Sequence, residues 1–191
     1  GKRAVTALIL NITERKKLQQ HVQHLGRQDA LTHQFNRSYV YERIAQQLEL
    51  DIRERTSFSL MLVDVDHFSA LNASYGCFAS DTLLKQLSQV LNELIPAGST
   101  VARFADDTFA VVIESLNHDA MDDLIEQLKT GVQEHRFSFA DMTIHVTVSI
   151  GYAHLIDTDT DTAGIIRRAE QVLQEAKRQR RNHQERAQHG I

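Results

Sequence analysis

Two aspartates, Asp64 and Asp66, stand two residues apart directly after the apolar run Leu60-Met61-Leu62-Val63. Alternate residues of a strand share a face, so both carboxylates leave the sheet on one side. A carboxylate at the end of a buried strand has to be neutralised or solvated. A hard cation held by Asp64, a backbone carbonyl and water would do this, in the way Mg2+ is held beside phosphates. The plainer alternative is a strand-end pair facing solvent. A second acidic pair, Asp106-Asp107, lies between two short apolar runs, Val101 to Phe104 and Phe109 to Ile113. If that hairpin pairs with the strand before Asp64, two strands end in acids at one edge, a clamp suited to phosphoryl chemistry. Asp is also an ordinary turn former, which leaves a second reading open. Lys177 and Arg181 are four apart and share a helical face, where they meet phosphate oxygens or simply complement the helix dipole. Arg178, Arg180 and Arg186 add a basic patch, but no aromatics interleave there to stack bases, which argues against nucleic acid.

These groups need a sheet edge and a helix end to hold them. Phe58 to Val65 is a near-continuous apolar run of strand length, the pattern of a strand buried on both faces. Val40, Ile44 and Leu48 line a helix running to about Arg55. Leu83, Leu87, Val90, Leu91 and Leu94 line another over Ser80 to Leu94, stopped by Pro96-Ala97-Gly98. Met121, Leu124, Ile125, Leu128 and Val132 mark the next helix, and Thr143 to Tyr152 alternates as one strand with Ile144, Val146, Val148 and Ile150 on one side. A last helix, about Thr162 to Arg181, buries Ile165, Ala169, Val172 and Ala176. The order strand, helix, strand, strand, helix, strand, helix is an α+β, ferredoxin-like βαββαβ core with extra N- and C-terminal helices.

Ahead of this core, residues 4 to 10 read as a β-strand without a partner, the end of a neighbouring domain. Asn11 and Glu14 form a capping box for a polar helix through about Arg27. Leu18, Val22 and Leu25 on that helix form a heptad fragment, which pairs two copies or packs on its own domain.

The chain has 191 residues, 42% apolar and 24% charged, with no run of 18 apolar positions, so disorder and membrane spanning are not expected. A net charge of −4 gives no global basic field for nucleic acid. The single cysteine, Cys77, excludes an internal disulfide framework and fits a reducing, cytoplasmic setting. Cys77 has no evident base beside it and reads as a small buried or loop residue. Asp157 to Asp161 imitates a calcium loop, but Thr162 and Arg168 replace its glycine and glutamate, so it reads as a polar loop. His21 and His24 lack further ligands for zinc.

Beyond these local readings, a series of motifs resembles the GGDEF domain, the diguanylate cyclase family that condenses two GTP molecules into cyclic di-GMP. Asp29-Ala30-Leu31-Thr32 with Asn36-Arg37 is similar to the family's opening D-x-L-T…N-R. Asp64-Val65-Asp66-His67-Phe68, followed by Asn72, Gly76 and Asp81, resembles its D-x-D-x-F run, and Ser149-Ile150-Gly151 its S-I-G strand. Ala176-Lys177 with Arg181-Asn182 resembles its closing A-K-x-x-G-R-N. The resemblance implies a nucleotidyl cyclase palm fold over residues 29–182. It also implies that Asp64, the Val65 carbonyl and Asp107 hold Mg2+ or Mn2+ when nucleotide is bound. Asn72 and Asp81 would read guanine, and Lys177 and Arg181 would meet phosphates. Ile12 to Lys16 after a strand resembles the tail of a PAS domain. The implied layout is a PAS strand over 1–11, a signalling helix over 12–28, and a tail over 183–191 toward a downstream domain, commonly of EAL type.

The departures carry as much information. The signature Gly-Gly-Asp/Glu-Glu-Phe is replaced by Ala105-Asp106-Asp107-Thr108-Phe109, which keeps one acid, Asp107, at the metal position. Ser69 replaces a lysine, Ala73, Cys77 and Ser80 replace an acid, a histidine and a glycine, and Arg180 replaces a glycine. The product-inhibition pair would fall at Pro96 and Ser99 and is absent. Ala105 in a left-handed conformation would be strained by ~1 to 2 kcal/mol. Asp106 near a phosphate would repel it by about 4 kcal/mol at ~4 Å and an effective dielectric of ~20. The expected function is a catalytically impaired regulatory domain that binds GTP weakly. The alternatives are an active diguanylate cyclase and a ligand-free dimerisation or spacer domain.

Overall fold

The computed structural model describes residues 26–50, 58–114 and 118–189, the side chains of 118 and 181–189 excepted. The orphan strand, the capping box, the Leu18, Val22 and Leu25 seam and the Arg181 side chain lie outside the described residues. In chain order the elements are β1 Phe35–Asn36, α1 Arg37–Glu49, β2 Phe58–Val65, α2 Phe68–Leu94, β3 Thr100–Arg103 and β4 Thr108–Glu114. They continue with α3 His118–Glu134, β5 Phe137–Phe139, β6 Met142–Ile144, β7 Val148–His154 and α4 Thr162–His189.

The main sheet has the order β1-β3-β4-β2-β7, with β2 antiparallel to both neighbours. The core elements β2, α2, β3, β4, α3, β7 and α4 follow the βαββαβ order expected, with the extra helix α4 after it. Because side chains alternate along a strand, Met61, Val63 and Val65 pack with Leu83, Leu87 and Met121 under α2 and α3. Leu60 and Leu62 pack with Ile44, Ala169 and Leu173 under α1 and α4. Every residue of β2 is buried, so its even positions, Asp64 included, point to the α4 side by the same alternation. Close approach of α4 is possible because residue 151 of β7 is glycine. A Cβ there would lie 2.2 Å from the Leu173 backbone nitrogen.

Five local expectations are corrected. The helix lined by Val40 and Ile44 ends at Glu49, with Leu50 as an extended C-cap. The helix expected from Ser80 begins at Phe68 and kinks at Gly76, whose φ of 82° interrupts the helical backbone, so its first turns escape a continuous 3.6-residue pattern. The single strand expected over Thr143 to Tyr152 is two: β6 leaves the main sheet to pair with β5, and β7 starts at Val148. Alternation continues through both because Ile144, Val146, Val148 and Ile150 are all buried in one cluster. Val172 of α4 is exposed rather than buried. Cys77 is an exposed helical residue, neither buried nor in a loop.

Candidate functional site

The β2–β4 ladder sets the site. Its register places Asp64 directly opposite Thr108, so the hairpin tip Phe104 to Asp107 hangs at the carboxyl end of β2. The Val65 amide donates to the Asp107 carbonyl at 3.2 Å, which fastens the tip to that end. Tip and opening motif are tied together by Arg103. Its Nη1 lies 3.2 Å from Asp29 Oδ1, and its Nη2 donates to the Asp106 carbonyl at 2.8 Å. Burial pushes the Asp29 carboxyl up, but hydrogen bonds from Thr32 and the Arg103 guanidinium outweigh it and hold Asp29 below its ordinary value.

Among the described non-glycine residues only His33, His67 and Ala140 have positive φ. Ala105 and Asp106 are therefore not left-handed, and the strain expected from losing the signature glycines does not arise. Asp106 is exposed, which lets water screen the added charge.

Asp64 is buried, and both its oxygens are engaged. Thr108 Oγ1 donates to Oδ2 at 2.8 Å, and Lys177 Nζ lies 2.7 Å from Oδ1. Asp107 has its carboxyl raised above the ordinary value, first by burial and then by the charge of Asp64, against the pull of its own backbone hydrogen bond and of Lys177. The Lys177 ammonium thus acts on both acids as a cation. Two acids whose charges oppose each other, beside the Val65 carbonyl, are a donor set that fits one hard cation. Among the described residues no three His, Cys, Asp or Glu side chains group as a metal cluster.

Asp66, the second acid after the strand, is held by β7. Its Oδ2 accepts from Thr147 Oγ1 at 2.6 Å and its Oδ1 from Ser149 Oγ at 2.7 Å. Arg180 Nε adds a charge contact 3.1 Å from Oδ1, outside hydrogen-bond geometry. Because Ser149 is the register partner of Asp64, both carboxylates lie on the α4 face as alternation requires, but the Asp66 oxygens are taken up by β7 hydroxyls.

The kink at Gly76 folds Asn72 and Asp81 around one cavity of about 440 Å3 that also touches Asp106, Asp107 and Cys77. Ser80 Oγ lies within hydrogen-bond reach of Asn72 Oδ1 and of the Gly76 carbonyl, 3.1 Å from each, and braces this pocket. Sequence reasoning had grouped Asn72, Asp81 and Asp107 only through the motif, and the fold brings them together. It had assigned no role to Arg103, Thr147 or Ser149. For Arg103 the signal was its place two residues before the tip. For Ser149 the signal was its place in the S-I-G strand, and Thr147 carried none. The loop that imitates a calcium site is structural: buried Asp159 pairs with Arg168 at 2.6 Å and accepts from the Ile156 amide.

Residues 27–183 match the family model described as "Diguanylate cyclase, GGDEF domain". A similar solved structure is the FimX GGDEF domain from Pseudomonas aeruginosa, 24% identical with a TM-score of 0.75, covering 80% of this chain and 94% of that one. Another is the coiled coil and GGDEF domain of DgcB from Caulobacter crescentus in complex with c-di-GMP. It is 20% identical with a TM-score of 0.78, covering 91% and 93% of the two chains. These likenesses establish the shared palm-type fold. Among curated relatives, an uncharacterized protein from Sinorhizobium fredii is 28% identical over 177 residues, which are 89% of this chain and 21% of that protein. An uncharacterized membrane protein from Staphylococcus aureus is 32% identical over 132 residues, 68% of this chain and 37% of that protein. The chain thus spans about a fifth to two fifths of the relatives it matches. No described helix is long and apolar enough to cross a membrane.

Proposed function

The chain belongs to the GGDEF diguanylate cyclase family, and within it we propose a catalytically impaired, cytoplasmic regulatory domain of cyclic di-GMP signalling that binds GTP weakly. The observation that carries this reading is the state of Asp64. A cation at this carboxylate must displace the Lys177 ammonium, and the residue opposite is a threonine hydroxyl where the family's motif has a second acid. With threonine at position 108, Asp64 and Asp107 alone would have to serve the metals and the proton of the attacking hydroxyl.

Binding is the part that survives. Asn72 and Asp81 border the same cavity as Asp107, so their amide and carboxylate would meet the Watson–Crick edge of guanine. A divalent cation at Asp64 and Asp107 would neutralise phosphate charge there. Arg181 on α4 would reach the same phosphates. In the longer protein that the relatives' lengths suggest, the domain relays a signal from a preceding PAS domain to a downstream EAL domain, with a homodimer formed through Leu18, Val22 and Leu25.

Incubation with GTP and Mn2+, followed by chromatography, tests catalysis. The expected result is no cyclic di-GMP peak, and a clear peak makes the chain an active cyclase. Calorimetry with GTP and Mg2+ tests binding. Weak heat that is lost in N72A and D81A supports the reading. No heat at millimolar GTP favours a ligand-free spacer instead.

A further inference from the structure

The last helix grips the end of β2 at two points. Lys177 Nζ lies 2.7 Å from Asp64 Oδ1, and Arg180 Nε lies 3.1 Å from Asp66 Oδ1. Residues three apart on a helix share a face and advance about 4.5 Å, while two strand residues advance about 6.6 Å, so the two pairs run side by side. Arg180 has a second hold, since its Nη1 donates to His67 Nε2 at 2.7 Å. His67 is the left-handed residue, φ 57°, that turns β2 into α2. Three cationic contacts from one helix end therefore converge on the four residues Asp64 to His67.

The two grips differ in kind. Asp66 is a buried carboxylate whose hydrogen bonds come from Thr147 and Ser149, so Arg180 supplies it with charge alone and takes its own hydrogen bond from Nη1 to His67. Lys177 holds Asp64 as a flexible ammonium beside a second acid, Asp107, which is the arrangement a divalent cation competes for. Arg180 stands where the family's closing motif has glycine, so the second grip belongs to this chain and not to the shared motif.

We propose that Lys177 and Arg180 form a two-rung cationic latch. Arg180 fixes the end of α4 against Asp66 and His67, and this keeps the Lys177 ammonium on Asp64, where it excludes a divalent cation. Occupation of the Asp64 and Asp107 pair then requires Lys177 to leave, which loosens the helix that runs out of the domain to His189. The latch rests on the reading of Asp64 and Asp107 as cation ligands.

The test uses Mn2+ alone on the whole 191-residue chain, with free Mn2+ read by electron paramagnetic resonance and α4 followed by amide hydrogen exchange. R180A removes the guanidinium without the helix cost of glycine. It is expected to raise Mn2+ affinity three- to tenfold and to speed exchange over Ala176 to Arg180, with R180K within twofold of the parent. Equal or weaker Mn2+ binding by R180A overturns the latch and makes Arg180 a plain structural or ligand-facing residue. If neither protein binds millimolar Mn2+, the cation reading of Asp64 and Asp107 fails on its own. Exchange then decides the latch: faster exchange in R180A retains Arg180 as the fastening, and unchanged exchange removes it.

Discussion

Thr108 and Asp64 face each other across the β2–β4 ladder, and the Thr108 hydroxyl donates to Asp64 Oδ2 at 2.8 Å. A hydroxyl at this position satisfies the buried carboxylate without adding charge. An acid there would need a cation between the two.

T108E makes that need measurable. Two carboxylates about 4 Å apart at an effective dielectric of ~20 repel by about 4 kcal/mol. The variant is expected to melt several degrees lower in metal-free buffer and to regain most of the loss in millimolar Mn2+. A Tm indifferent to Mn2+ refutes a cation site at the Asp64 end of β2.

Asp107 sets a pH dependence of defined sign. Its carboxyl is raised by burial and then by Asp64, so the folded form holds its proton to higher pH than the unfolded chain does. Stability from this group is present below the unfolded value, near 3.8, and is lost as pH rises through the folded one. D107N escapes the loss. It should melt above the parent at pH 7, with the gap narrowing toward pH 4 in thermal scans.

Asp29 works in the opposite direction. Its lowered carboxyl contributes stability above the ordinary value that fades as pH falls through the folded one. D29N loses the Arg103 pair and weakens the Thr32 turn, costing about 1 to 2 kcal/mol, or roughly 3 to 6 °C in Tm. The deficit should shrink in acid, and a constant deficit would disprove the assignment.

Gly151 tests the docking of α4. Its Cβ would meet Leu173 N at 2.2 Å and the Ala169 carbonyl at 2.6 Å, both rigid helix backbone. G151A is expected to cost about 2 to 3 kcal/mol, the upper part of the range for overpacking. Because α4 carries Lys177, the variant should also show faster exchange over Lys177 to Arg180.

Much of the fold was legible locally. β2, the hairpin and the cores of four helices followed from apolar runs and from 2- or 3.6-residue periodicity, which depend only on neighbours in sequence. The chain by itself also determined that Asn72, Asp81, Asp64 and Asp107 belong to one motif series, and that the hairpin has a threonine at the second acid position and no glycine. It did not reveal that β6 leaves the main sheet, since alternation is the same in either pairing. Nor did it reveal that Ala105 escapes positive φ, because backbone angles in a tip depend on how its strands are tied. Tertiary structure alone decided where each charge ends: Lys177 on Asp64, Thr108 beside it, and Asp66 turned to Thr147 and Ser149. Arg180 and His67 meet across 113 positions. The physical reason is that a buried carboxylate takes whichever donors the packed sheet and helix bring within 3 Å, and no pattern along the chain encodes that distance.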